Sequence, residues 1–177
     1  YQVEHGAGGE VRDLPPGWVF TLPYANHTRI YDFRRFRTAG RDELAGQCRD
    51  AVWQLLHDLT GATLYDGIYR SLTVFWRFLD DQAAAGQAVQ RLDQIDKSLL
   101  HAYLAWLHSN PKVGGRGQKF YFDKLKRVLI NRLQRVPNAV HPDIRQGRFP
   151  RNPFPHSNRE ANPHAPYTPR ELAGIVR

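Results

Sequence analysis

The chain has 177 residues, 41% of them hydrophobic, and its 25 Lys and Arg against 17 Asp and Glu leave a formal charge of +8. Four Trp, nine Phe and eight Tyr exclude a wholly disordered chain, and the basic balance points to a polyanionic partner, nucleic acid ahead of an anionic membrane. The single cysteine, Cys48, excludes a disulfide framework and a cysteine-based zinc site.

No apolar run approaches the roughly 20 residues of a membrane span, and YQVEHGAGGEVRD lacks a signal pattern, so the expectation is a soluble, cytoplasmic protein with no membrane partner. The lack of any methionine, initiator included, suggests a processed chain or a piece of a longer one.

In chain order, Tyr1 to Pro16 are glycine-rich and polar without a period and read as a flexible arm. Trp18 to Leu22 and Arg29 to Phe33 are β-prone and flank a turn-like Tyr24-Ala25-Asn26-His27, which predicts a small hairpin with Pro23 at an edge or at a strand end. From Asp42 to Leu59 the residues Leu44, Cys48, Val52, Leu55 and Leu59 follow a helical spacing that ends before Gly61. A second helix beginning near Thr60 to Thr63 carries Leu64, Ile68, Leu72, Phe75, Trp76 and Leu79 on one side, with Arg70, Thr73 and Arg77 on another.

A small-residue break, Ala83 to Gln90, precedes a third helix capped by Asp93 or Asp96, bearing Leu99, Leu100, Tyr103, Leu104 and Leu107 and stopping at Ser109-Asn110-Pro111. The fourth, Gly114 to Val136, puts Phe122, Leu125, Val128, Leu129, Leu133 and Val136 on one stripe and Lys124, Arg127, Asn131 and Arg135 opposite, with Arg116 and Lys119 near its N-terminus. The expected architecture is mainly α, a helical bundle over residues 42–136 behind a 1–41 arm with a possible hairpin. Residues 137–166 read as a proline-rich linker unable to build a core. At Thr168-Pro169-Arg170-Glu171 a capping box opens another helix, so 167–177 is expected to begin a second domain.

The eight histidines lack metal-site spacing, and Gly114-Gly115-Arg116-Gly117-Gln118-Lys119 fails as a phosphate-binding loop because no Gly precedes the Lys directly and no Ser or Thr follows it. No nucleophile–base or paired-carboxylate arrangement stands out, so no catalytic residue, metal or cofactor is assigned. Arg70, Thr73 and Arg77 suit a DNA groove, while Arg116, Lys119, Lys124, Arg127 and Arg135 suit phosphates. The plainer alternative is a solvated face in which Asp66, Asp80 and Asp81 neutralise the arginines. Tyr65 and Tyr69 read as packing residues.

The order of parts, with a basic fourth helix, a connector containing Asn152-Pro153-Phe154-Pro155 and the start Tyr167-Thr168-Pro169-Arg170-Glu171-Leu172, resembles the N-terminal half of tyrosine recombinases of the phage integrase type. It extends from Tyr31-Asp32-Phe33 to Arg177. The resemblance implies a four-to-five-helix, SAM-like core-binding domain whose second and fourth helices face double-stranded DNA. It also implies a C-terminal domain that cuts and rejoins strands through a phosphotyrosine, and self-association of the full-length protein on DNA. In that family the catalytic residues belong to the C-terminal domain, so His156-Ser157-Asn158-Arg159, which fits a His-x-x-Arg pair, is rejected because it stands in the linker. The rival from another class is a helical protein-interaction module with a basic face for an acidic partner.

Overall fold

The computed structural model describes residues 15–24, 27–110, 113, 115–152 and 154. The arm before residue 15, the turn residues Ala25 and Asn26, the rejected His156 to Arg159 motif and the helix start at Thr168 lie outside the described residues.

Strands β1 (Val19–Tyr24) and β2 (His27–Asp32) pair antiparallel, with Phe20 opposite Tyr31 and Leu22 opposite Arg29. Alternation puts Phe20, Leu22 and Tyr31 on the buried face and leaves Val19 and Ile30 outside. Pro23 is tolerated inside β1 because a two-stranded ribbon has only edges, and an edge needs no second donor. Phe33 to Phe36 then make one 3₁₀ turn, both phenylalanines buried and Arg34 and Arg35 outside.

The molecule is mainly helical. Helix α1 (Asp42–Gln54) runs into a 3₁₀ turn at Leu55–His57. A helical segment then starts behind Thr60, whose Oγ1 accepts from the Thr63 N–H at 3.3 Å. It passes through seven residues of π-helix (Thr63–Tyr69) and continues as α2 (Arg70–Ala84). Ser71 Oγ donates to the Gly67 carbonyl at 2.6 Å at the junction. Helix α3 (Lys97–Ser109) is capped by Asp96, whose carboxylate accepts from Leu99 N at 2.7 Å, so the second of the two expected caps is the one used. Helix α4 (Gly115–Arg135) packs against α1, α2, α3 and the π segment, and α5 (Pro142–Arg145) follows a 3₁₀ turn at Pro137–Ala139.

The core is larger than the 42–136 unit read from periodicity. Phe20, Leu22, Tyr31, Phe33 and Phe36 belong to it from the N-terminal side, and Val140, Ile144 and Phe154 from the C-terminal side. Trp76 donates its indole N–H to the Phe36 carbonyl at 2.8 Å inside it, pinning the 3₁₀ turn to α2. The stretch after Val136 therefore does contribute to the core as far as Phe154, whose ring stacks on His108 at 6.1 Å. Proline-spaced single apolar residues have no period, yet each fills one pocket of a surface already made.

Helix α4 departs from its expected two faces at its C-terminal half. Phe122, Leu125, Val128 and Leu129 are buried as read, but so are Asn131 and Arg132, each 6% exposed, whereas Val136 lies outside the helix and is exposed. The cause is a helix touched from several sides: contact with α1 as well as α2 and α3 widens the buried arc beyond the apolar stripe. Arg132 is close enough for its charge to act on the Cys48 thiol of α1, which burial nonetheless pushes up to about 12. Arg41, 1% exposed, donates to the Leu79 carbonyl at 2.9 Å and pairs with Asp80.

Candidate nucleic-acid interface

The π segment and α2 form one wall of a cleft of about 440 Å³, and Phe120 and Tyr121 of α4 form part of the other. Arg70, Thr73 and Arg77, one turn apart along α2, all line it. Gly67 lets the two walls close. A Cβ there would stand 3.3 Å from Lys124 Cε and 3.7 Å from Phe120 Cζ, so α4 lies against the bare backbone of the π segment.

The carboxylates considered as neutralisers are distributed unevenly. Asp66 accepts from Tyr24 Oη and pairs with Arg70 at 3.4 Å. Asp80 is taken by the buried Arg41, and Asp81 accepts the Trp106 indole N–H at 2.7 Å. Arg77 is thus exposed with no ion-pair partner among the described residues. Two of the three aspartates that would have made this a solvated, self-neutralised face serve tertiary contacts instead.

On α4 the cations divide between two stripes. Phe120, Lys124 and Arg127 recur at helical spacing, the first two packed against Gly67 of the π segment, with Lys124 Nζ 5.1 Å from the Phe120 ring centroid. Burial lowers the Lys124 ammonium below the ordinary lysine value, the neighbouring Arg127 lowers it further, and Asp123 opposes both. Lys119 stands on the other stripe with Asp123 and Lys126, where Lys126 Nζ lies 4.8 Å over the Phe149 ring. Burial raises the Asp123 carboxyl, against Lys119, the Asn152 side chain and the other two lysines. Arg135 is exposed at the end of α4, about 24 Å along the axis from Lys119 at 1.5 Å per residue. The Arg116 side chain lies outside the described residues.

The structure therefore brings together Arg70, Thr73 and Arg77, sets Lys124 against Gly67 of the adjoining π segment with Arg127 one turn further along α4, and leaves Lys119 and Arg135 apart. It adds Arg35 and the aromatic residues Phe120 and Tyr121, which sequence reasoning did not assign. Arg35 reaches the cleft because the 3₁₀ turn that carries it is tied to α2 through Trp76 and Phe36. Its guanidinium lies 5.3 Å over the Phe36 ring and near enough for its charge to act on Tyr69, whose hydroxyl donates to and accepts from the Asp32 backbone at 3.0 Å. Phe120 carried a legible signal, an aromatic out of phase with the Phe122 stripe among cations, and it is 38% exposed. Tyr65 and Tyr69 line the cleft but are engaged in packing. Tyr31, Tyr65 and Tyr69 meet with centroids 5.2–5.3 Å apart, and Arg29 stacks on Tyr24 and Tyr65 at 4.8 and 5.1 Å.

Among the described residues no group of three or more His, Cys, Asp or Glu could hold a metal ion, and no helix is long and apolar enough to cross a membrane. Comparison of the chain with protein-family models, with curated proteins and with solved structures gives no match.

Proposed function

We propose that this chain is the DNA-gripping part of a site-specific tyrosine recombinase of the phage integrase type. In this reading its helices are a SAM-like core-binding bundle acting on double-stranded DNA in the cytoplasm. Cutting and rejoining of strands falls to a C-terminal catalytic domain, and the full-length protein self-associates on its sites. The observation that carries the reading is the convergence of Arg70, Thr73 and Arg77 with Arg35 on one cleft, with Lys124 packed on Gly67 of the same π segment and Asp66 the one carboxylate lining the cleft among the described residues. Basic side chains arranged across two elements supply phosphate contacts, and Arg and Thr on a helix supply groove contacts.

The test is fluorescence anisotropy of a labelled duplex as a function of salt. If Arg35, Arg70, Arg77, Lys124 and Arg127 each neutralise one phosphate, the log–log slope is about −4.5, and affinity falls roughly 500-fold between about 50 and 200 mM salt. Lys124→Ala with Arg127→Ala weakens binding to all sequences and makes the slope shallower by about 1.8. Changes at Arg70 or Arg77 alter sequence preference as well. Salt-insensitive binding, or a double variant with unchanged affinity and slope, removes this surface from DNA contact. An acidic peptide that binds where duplex DNA does not establishes the basic face as a protein-docking surface instead.

A further inference from the structure

The cleft and the faces around it differ in scale. A volume of about 440 Å³ sits within the roughly 300–1,000 Å³ of small-ligand pockets and is far too small to admit a double helix, whose major groove alone is about 12 Å wide. What it has room for is one nucleotide. The lining matches the two halves of such a ligand: Arg77 makes no ion pair among the described residues, Arg35 is exposed with Asp32 feeling its charge, the two suit a phosphate, and Phe120 offers an aromatic surface 38% exposed. Of the other rings lining the cleft, Tyr65 and Tyr69 are held by Tyr31, Arg29 and the Asp32 backbone, and Tyr121 meets Phe120 edge to face with centroids 5.9 Å apart. The wall itself is unusual. Seven residues of π-helix are rare and occur most often at functional sites, and here the π segment contains Gly67, which seats Phe120 at the rim.

From this geometry we infer that the cleft between the π segment, α2 and α4 is a subsite for a single unstacked nucleotide of the bound DNA, its phosphate on Arg35 and Arg77 and its base against Phe120. The inference rests on the DNA-gripping reading and goes beyond it. On a paired duplex Arg35 and Arg77 meet a backbone phosphate at the cleft mouth, and where a nucleotide has left the stack the same two guanidiniums keep its phosphate while its base enters the cleft. Extrusion from a paired duplex opposes entry, so a nucleotide already unpaired binds best.

Three DNAs of one sequence separate the possibilities when titrated with the full chain at fixed salt: a paired duplex, the same duplex with one bulged 2-aminopurine, and one with a bulged abasic site. The expected result is a bulge bound roughly tenfold tighter than the paired duplex, the increment of one base–aromatic stack, with 2-aminopurine fluorescence quenched on binding and the abasic bulge losing most of the advantage. Phe120→Leu keeps an apolar side chain at an exposed position and removes the π-face, so the bulge preference and the quenching both diminish in it. Tight binding with equal affinity for paired and bulged DNA overturns the subsite while leaving the grip intact. A preference that persists with the abasic bulge and in Phe120→Leu also overturns it, since flexibility of bulged DNA then explains the result. Absence of binding to all three DNAs overturns the subsite and the DNA-gripping reading together.

Discussion

Gly61→Ala tests whether the hairpin is an integral part of the bundle. Gly61 lies at the start of the helix leading into the π segment, and a Cβ there would stand 2.6 Å from the Pro23 carbonyl oxygen, about 0.8 Å short of the 3.4 Å of ordinary contact. Its backbone is not among the positive-φ positions, so alanine is not strained conformationally, and helix propensity alone would favour it by up to about 1 kcal/mol. The obstacle is backbone on β1 and cannot turn aside as a side-chain end would. Overpacking of this kind costs about 1–3 kcal/mol, which with the full propensity gain leaves a net loss of up to about 2 kcal/mol and a Tm lower by up to about 8 °C. The hairpin must shift, and with it the Tyr24 hydroxyl on Asp66 and the Arg29 guanidinium on Tyr65, so hydrogen exchange accelerates at the hairpin amides, including Phe33 N–H to Trp18 O at 2.8 Å. Gly86→Ala is the control. Its φ of +88° makes alanine costly, but nothing lies within 4 Å, so the hairpin amides keep their protection. A Gly61→Ala protein with unchanged or higher Tm and unchanged hairpin exchange would refute the docking described.

Three further outcomes follow from the burial pattern. Asp123→Asn raises Tm at neutral pH. Burial raises the Asp123 pKa above its ordinary 3.8, so the ionised carboxylate carries a penalty that shrinks as pH falls through the raised value and is gone below 3.8; the advantage of the amide shrinks with it. Destabilisation at neutral pH instead would mean that the three lysines outweigh burial. Cys48, buried and with its thiol pushed up to about 12, resists alkylation by iodoacetamide in the native protein and reacts once urea unfolds it, and native labelling on the same timescale would contradict its place in the core. Phe154→Ala lowers stability by about 3 kcal/mol in urea unfolding, at the low end for a core phenylalanine because the segment can shift, and moves the His108 ring resonances, whereas no change in either would show the segment to be undocked in solution.

The parts legible from sequence were those in which one physical requirement acts along a short stretch. A helix with one buried side repeats its apolar residues at 3.6, so Phe122, Leu125, Val128 and Leu129 announced α4, and the capping preference of aspartate narrowed the start of α3 to Asp93 or Asp96, of which the fold uses Asp96. The hairpin followed from β-prone runs on either side of a turn. Burial of Asn131 and Arg132 was not legible, because it depends on how many neighbours surround α4 and not on α4 itself. Nor was the C-terminal segment, where Val140, Ile144 and Phe154 obey no period yet fill gaps in a surface made by other elements.

The candidate site divides in the same way. Sequence alone determined its charge, its helices and the triplet Arg70, Thr73 and Arg77, since spacing of three and four residues fixes a common face whatever the fold. Tertiary structure decided which charges remain unneutralised, because Asp80 and Asp81 could be assigned to Arg41 and Trp106 only when distant elements met. It also decided the membership of the cleft. Arg35 arrives from a 3₁₀ turn some forty residues upstream of Arg77, and Phe120 from a helix that packs on the π segment at Gly67. Such contacts are set by the close packing of whole elements, a property that no local pattern of residues encodes.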